Sequence, residues 1–467
     1  MSSTLLKHFQ SKHLSVNDRI AAGKALRNEF PRIRQKEYKP APERTDPVSI
    51  LEEQAKTRLE ELVPIRYARM LTSPFAFLRG SAAIMAADLA AGPETTGITV
   101  QACGDMHVAN FGVFASAERN LVFGINDFDE TIPGPWEWDL KRLAVSIVAS
   151  GRYLGANDAL CEKSVMAAVK SYRKRMHQYA QMGNLELWYT TIKGKDMLDI
   201  MTPVQQRRAV DMMKKARSRT HMQVLEKLAD LVDDKFRLRG NAPFIVRETH
   251  TKFGKTINEA MELFLESYFH SLGVDRKKLL YNYRVIDVVR KIVGVGSVGT
   301  RCWVVMMMGN HPNDPLFLQV KEAQPSVLEP YTVKSVFANQ GQRVVEGQRL
   351  IQGAPDIFLG WGKQDGIDFY VRQLRDMKGG KEFDIDNKNE PVENMPLYAT
   401  GCAWALALAH AKSGDPAMIA GYVGNSDVMD KAMTRFAFAY ADQNEKDFKA
   451  LTAAAKSKRI IVAGKAS

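Results

Sequence analysis

The period of the apolar positions changes several times along the chain, and each change predicts an element. In "ILEEQAKTRLEELV" (50–63), Ile50, Leu51, Ala55, Leu59, Leu62 and Val63 recur at helical spacing. The small-residue run "GSAAIMAADLAA" (80–91) predicts a helix able to pack closely against its neighbours. "TTGITVQAC" (95–103) alternates and predicts a strand. "LVFGINDFDETIPGPWEWDLKRLAVSIVAS" (121–150) reads as a second strand, a Pro/Gly turn and a helix beginning near Trp138. Residues 155–285 read as mostly helical, with breaks near Gly183, Pro203 and Gly240. At 291 the texture turns to β: "KIVGVGSVGTRCWVVMMMGNHPNDPLFLQVKEA" predicts two strands joined by the turn "GNHPND". A helix over about 330–352 follows, then strands in "DIFLGW" (356–361) and "IDFYVRQL" (367–374), and helical spacing resumes from about 395.

This order predicts an α+β fold with a large helical lobe and a small antiparallel β lobe. Residues 1–62 read as a peripheral, partly helical segment, with "KPAPERTDP" (39–47) as a linker or surface loop. Residues 63–290 form the helical lobe with its loops, 291–375 the β lobe, and 376–467 the helices that complete the helical lobe. A hydrophobic content of 45% over 467 residues is enough for a large core. No apolar run reaches the roughly 18 residues of a membrane span, and "MSSTLLKHFQSKHLS" lacks the apolar core of a signal peptide. Cys103, Cys161, Cys302 and Cys402 are scattered without a C-x-x-C pair, which fits reduced thiols in a cytoplasm better than a disulfide framework or a zinc site. The net charge of +12 raises the question of nucleic acid. Its densest stretches, "KSYRKRMHQ" (170–178) and "MMKKARSRTH" (212–221), lie in helical patterns without the aromatic interleaving of single-strand binders. A basic face drawing in an anionic substrate is the better reading.

"ACGDMHVANFGVF" (102–114) concentrates the chemistry, with Asp105, His107 and Asn110 just past a predicted strand end. Asp-x-x-x-x-Asn suits phosphoryl transfer, in which the Asp orients or deprotonates an attacking hydroxyl and the Asn amide oxygen holds magnesium. The same residues also cap ordinary turns. "INDFDE" adds Asp127 and Asp129 at the next strand end, where a second metal-binding carboxylate is needed. Far downstream, "GVGSVGT" holds Gly294, Gly296, Ser297 and Gly299 in a G-x-G-x-x-G pattern. A dinucleotide-binding turn opens a helix, but "TRCWVVMMMG" reads as a strand, so this loop covers phosphates between two strands as a kinase lid does. Kinases place a lysine on the third strand of that unit, and Lys321 in "PLFLQVKEA" stands there, pointing opposite to Val320. Glu346 in "RVVEGQR" offers itself as the ion-pair partner of Lys321, or else Asp127 does in a metal-free site. Glu329, beside Pro330, is a poorer candidate.

"PFAFLRGSAAIMAADLA", "CGDMHVANFG", "INDFDETIPGPWEWDLKRLA", "GVGSVGTRCWVV" and "LQVKEA" closely resemble an uncharacterised bacterial family, domain of unknown function 2252, over most of residues 15–460. That family is similar in turn to the protein-kinase-like superfamily, above all aminoglycoside and choline phosphotransferases. The resemblance implies a two-lobed kinase-like fold using ATP and Mg (or Mn). It implies Asp105 as catalytic base, Asn110 and Asp127 as metal ligands, and Asp139 as a brace for the loop. Cys103 stands where those enzymes carry a His that is largely structural. The Asp105 loop precedes the glycine loop by nearly 190 residues, the reverse of the usual order, so the resemblance implies a circular permutation. "YATGCAWALALAHAKSG" (398–414) then becomes the helix that normally leads into the catalytic loop.

Three other readings compete. A metallophosphoesterase would use Asp105-x-His107 and the "GNH" of 309–311, yet no late G-H-x-H follows, and His311 falls in a predicted hairpin turn. A pseudokinase or nucleotide sensor would be signalled by loss of Asp105, Asn110, Asp127 or Lys321, and all four are present. Nucleotidyl transfer on a kinase-like fold would use the same groups. His107 is either a structural loop histidine or an orienter of Asp105. Arg66, Arg69 and Arg79 precede the motif and are candidates to bind an anionic acceptor.

Overall fold

The computed structural model describes residues 6–7, 9–199, 201–218, 221–233, 235–251, 254–311, 313–374 and 391–464. The helices that organise it are α1 (Trp136–Tyr153), α2 (Asp158–Ala180), α3 (Ile257–His270), α4 (Gln340–Ile351), α5 (Met395–Ser413) and α6 (Val428–Lys456). The strands are β1 (Thr99–Ala102), β2 (Phe111–Ala115), β3 (Leu121–Ile125), β4 (Ile132–Pro135), β5 (Ile192–Lys193), β6 (Ala229–Val232), β7 (Lys235–Leu238), β8 (Ile245–Val246), β9 (Arg284–Lys291), β10 (Cys302–Met308), β11 (Pro315–Glu322), β12 (Gly360–Gln364) and β13 (Ile367–Gln373). All the strand pairings between them are antiparallel, so the fold is α+β. Among the described residues no helix is long and apolar enough to cross a membrane.

Helix α1 lies at the centre of the largest core and is buried on every face, its Glu137, Asp139, Lys141 and Arg142 included. Glu137 and Asp139 occupy its first turn, where negative charge opposes the partial positive charge of the helix start. Gly151 lets α2 approach: a Cβ there would stand 2.6 Å from Cys161 Sγ. α5 and α6 complete the packing around α1 and α2.

The six-stranded sheet runs β12-β13-β11-β10-β9-β8. Its central strands are apolar on both faces because both are covered. Val305, Met307, Leu318 and Val320 meet Phe264 and Tyr268 of α3, and Val304, Met306 and Phe317 meet Val224 and Leu225 of the helix His221–Leu228. Gly360 and Gly362 make room for α3, since a Cβ would stand 2.6 Å from Ser271 Oγ and 2.8 Å from Phe264 respectively.

Some boundaries differ from the sequence expectation. The sheet draws β8 from within 155–285 and begins β9 at Arg284, ahead of the expected change at 291, where charged Arg284, Asp287 and Arg290 interrupt an alternating apolar strand. The 356–361 strand shifts to β12, and the 330–352 helix begins at Gln340, where Asn339 caps the Gln342 amide. The 50–63 helix stops at Ala55. Beyond it the Leu59 amide donates to Gly299 O at 2.8 Å, and the Arg58 guanidinium donates to Val298 O. Tertiary bonding to the glycine loop overrides the helical pattern there. The basic stretch 170–178 is largely consumed internally. Arg173 forms a two-pronged pair with Asp430 at 3.0 and 2.8 Å, and Arg175 lies 3.6 Å over the Trp404 ring. The stretch 212–221 falls partly outside the described residues.

Candidate functional site

β1 ends at Ala102 and delivers the chain into a turn at Gly104, whose φ of +79° suits glycine. A side chain there would also collide with Glu130, whose carbonyl oxygen would lie 2.7 Å from the added Cβ. Asp139, from the first turn of α1, is only 1% exposed and accepts from the Cys103 amide at 2.6 Å and the Gly104 amide at 2.9 Å. His410 Nε2 lies 3.3 Å from the same carboxylate, and its Nδ1 lies 2.7 Å from the Tyr172 hydroxyl. The start of the loop is thereby tied to the protein centre, in the position the resemblance assigns to Asp139. Burial, with Asp139 adding to it, pushes the Cys103 thiol well above its ordinary range, so Cys103 is a packed neutral thiol.

Asp105 follows. Arg142, one helical turn beyond Asp139, reaches its Oδ1 with Nε at 2.7 Å and Nη2 at 2.5 Å, while Nη2 also donates to Leu78 O at 2.7 Å. Burial raises the Asp105 carboxyl and Arg142 opposes the rise, leaving it above the usual carboxylate range. His107 is buried with Nε2 3.8 Å from Asp105 Oδ2, beyond hydrogen-bond distance. Asn110 donates from Nδ2 to Asp105 O at 2.8 Å, which leaves its amide oxygen as the group it can offer a cation.

The chain pairs as β2 and β3 and then delivers "INDFDE" to the same place. Lys321, 2% exposed on β11, forms an ion pair with Asp129 across 192 positions of sequence. The Tyr370 hydroxyl donates to Asp129 Oδ1 at 2.7 Å and Ser297 Oγ to Asp129 Oδ2 at 3.2 Å. The Asp129 amide donates to Asp127 Oδ1 at 3.3 Å. Burial on its own lowers the affinity of Lys321 for its proton, but Asp127 and Asp129 outweigh it and hold the ammonium charged. Asp129, which burial would raise, is held below its usual range chiefly by Lys321.

The glycine loop joins β9 to β10 and closes over these groups. Gly294 and Gly299 have φ of +67° and +97°, and a Cβ at Gly296 would stand 3.0 Å from Arg79 O and 4.0 Å from Asp105 Oδ2. Gly294, Gly296 and Ser297 line one cavity of about 100 Å³ with Asp105, His107, Asn110, Asp127, Asp129 and Glu130. A second, wider hollow of about 720 Å³ lies against Asn126, Gln319 and Arg372, and includes Phe114, Val293 and Phe358. The two adjoin at the strand end, where Asn126 lines one and Asp127 the other.

Glu346 is not the partner of Lys321. It pairs with Arg349 at 3.1 Å, because α4 turns its Arg343 and Gly347 face to the strand end. A Cβ on Gly347 would stand 2.4 Å from Thr131, and Glu346 points about 100° away around the helix. The helix contributes Arg343 instead, donating to Thr131 O at 2.6 Å, Asp129 O at 2.8 Å and Gln324 O at 2.7 Å. Arg142, Arg343, Tyr370 and Arg372 are the site residues that sequence reasoning missed. Tyr370 and Arg372 were accessible in principle: they stand opposite Lys321 and Gln319 in register, on positions that alternate with the apolar Ile367, Phe369 and Val371. His311 lies exposed in the β10–β11 turn, accepting from the Asn313 amide at 3.1 Å, away from this site.

The donors available for a metal are oxygens, from Asn110 and Asp127. Among the described residues no three His, Cys, Asp or Glu side chains are grouped to hold an ion. Such a pair suits Mg²⁺, which keeps water and phosphate oxygens in its shell, and does not suit a closed zinc site. A family described as "Uncharacterized protein conserved in bacteria (DUF2252)" matches residues 58–454. No curated protein and no solved structure matches the chain.

Proposed function

We propose, for a chain that belongs to the DUF2252 family of bacterial proteins, an ATP- and Mg-dependent phosphotransferase built as a circularly permuted, two-lobed kinase-like fold. The observation that carries this reading is the convergence of Lys321 with the acidic strand end beneath the glycine loop. Around it, a glycine loop joins the first and second strands of a meander, the lysine stands on the third, and α4 lies between the third and the fourth. Kinase small lobes place their glycine loop, lysine and helix in these relations. The permutation gains support where α5 ends. Ser413 Oγ accepts from the Gln101 amide at 3.1 Å, so the end of this helix adjoins the start of the strand that leads into the Asp105 loop. Permutation needs such adjacent ends.

Within this reading the wide hollow has the volume a nucleoside takes. Lys321 neutralises phosphate oxygens, and the glycine amides approach them without side chains in the way. Asn110 and Asp127 would hold magnesium, which when bound would supply further neutralisation of phosphate charge. Asp105, fixed by Arg142 and raised by burial, takes the proton of the acceptor hydroxyl. That oxygen bonds to the terminal phosphorus as the bond to the departing ADP oxygen breaks. The protein acts in the cytoplasm on a small molecule or protein.

Titration calorimetry tests this reading. Mg-ATP binds the wild type and fails to bind Lys321→Met, and Asp127→Asn loses the magnesium dependence. A wild type that binds no purine nucleotide with magnesium contradicts it. Binding without turnover by any acceptor would favour a nucleotide sensor, and label moving from the α-phosphate would favour nucleotidyl transfer.

A further inference from the structure

Arg58, Arg66 and Arg79 reach the cavity of about 100 Å³ from the segment that precedes the Asp105 loop. Arg66 is fully buried at 0% exposure. Its Nη2 donates to Gln54 Oε1 at 2.9 Å and Gly80 O at 3.0 Å, while its Nε and Nη1 are buried without a hydrogen-bond partner. Arg58 is in the same condition at Nε, its Nη1 donating to Val298 O. Neither forms an ion pair among the described residues. Of the cavity's carboxylates, Asp105 is engaged by Arg142, Asp129 by Lys321 and Glu322 by Arg301, while Asp127 and Glu130 also line it and Glu130 acts on Arg58 and Arg66 only through space.

Two guanidiniums with buried, unfilled donors are costly unless something fills them. A carboxylate of the chain is the ordinary solution, and among the described residues none comes within ion-pair distance of Arg58 or Arg66. The cavity has room for several waters or one small oxyanion, not for a nucleobase. Lys321 does not line it, and its ammonium is bound to the Asp129 carboxylate, which does. Asp105, by contrast, faces the same cavity.

We propose that Arg58, Arg66 and Arg79 seat an oxyanion carried by the acceptor, a phosphate ester or carboxylate, so that the substrate of this site is itself an anionic small molecule. The proposal deepens the phosphotransferase reading and rests on it only for the word acceptor. Guanidinium forks match the paired oxygens of phosphate and carboxylate, and charge-assisted bonds in a dry site are the strong ones. Arg66 belongs to binding and positioning, not to the chemical step.

Inorganic phosphate is the probe, titrated into the full chain by calorimetry, with and without saturating Mg and the non-hydrolysable analogue AMP-PNP. Phosphate should bind in both conditions, and Arg66→Met should weaken it by roughly thirtyfold or more. Phosphate-free Arg66→Met should melt above the wild type, since an uncompensated buried charge is gone. If Arg66→Met does not fold, Arg58→Gln, which is half-buried, carries the same comparison. Wild type that binds no phosphate, or phosphate binding indifferent to both arginines, overturns the proposal. Displacement of phosphate by AMP-PNP also overturns it, because the anion would then be the nucleotide's own. If AMP-PNP does not bind at all while phosphate binds through Arg66, the nucleotide reading falls and the anion pocket stands.

Discussion

Lys321→Met keeps an unbranched side chain of nearly the same length and removes its charge and its N–H donors, at a position 2% exposed. In the nucleotide-free protein it strips Asp129 of its ion partner and leaves the Tyr370 and Ser297 hydroxyls as donors. Removing one member of a buried pair costs about 3 to 5 kcal/mol. Arg372 also acts on Asp129 through space, which holds the figure at the low end, about 3 kcal/mol. An unfolding entropy of about 2 cal/mol/K per residue gives roughly 1 kcal/mol/K for 467 residues, so Tm falls by about 3 °C. The pH dependence has a definite sign. Burial raises Asp129, but Lys321 and the other donors leave it depressed, so its stabilisation is present above the unfolded value of about 4 and is lost as pH falls through the folded value. The gap between wild type and variant is therefore widest near neutrality and narrows in acid. Lys321→Met with Asp129→Asn leaves no stranded charge and recovers most of the loss. Thermal and urea melts followed by circular dichroism read all of this. Equal stability of Lys321→Met and wild type at neutral pH refutes the reasoning, as does a double variant no better than the single one.

Asp139→Asn weakens the bonds to the Cys103 and Gly104 amides, costing about 2 kcal/mol and speeding amide exchange across the Asp105 loop; unchanged exchange would show that the brace lies elsewhere. Glu130, which lines the cavity, has its carboxyl pushed up to about 7, chiefly by burial, against the Val327 amide and Arg343. Its raised value lends stability that is full below the unfolded value of about 4.3 and is lost as pH rises through about 7. Glu130→Gln should flatten stability over that window and be the more stable form at alkaline pH. A wild type no less stable than this variant there contradicts the assignment.

The central strands were legible because strand alternation is local. Val305 and Met307 against Val304 and Met306, and Lys321 opposite to Val320, follow from period two alone. Asp105, Asn110, Asp127 and the glycine loop were legible as short motifs, and the structure brings all of them to one cavity. That Glu346 turns away from Lys321 was not legible, because it depends on the rotation of α4 about its axis. Gly347 fixes that rotation by packing on Thr131, a contact between residues 216 positions apart that no local pattern carries. Arg142 was hidden differently. It sits in a helix buried all round, where amphipathic contrast cannot mark one face, although its spacing of three from Asp139 places both beside the loop. The end of the 50–63 helix was lost to bonds with the glycine loop, again a tertiary cause.

The central claim is that Asp105 directs transfer of a terminal phosphoryl group at the site Lys321 and Asp127 help to form. Its most direct test follows label from ATP into small molecules of a bacterial extract, using γ-labelled and α-labelled nucleotide with wild type and Asp105→Asn. The account predicts a new labelled species from the γ-label with wild type only, none from the α-label, and none with Asp105→Asn although it still binds Mg-ATP. Transfer that persists in Asp105→Asn, or that carries the α-label, contradicts it.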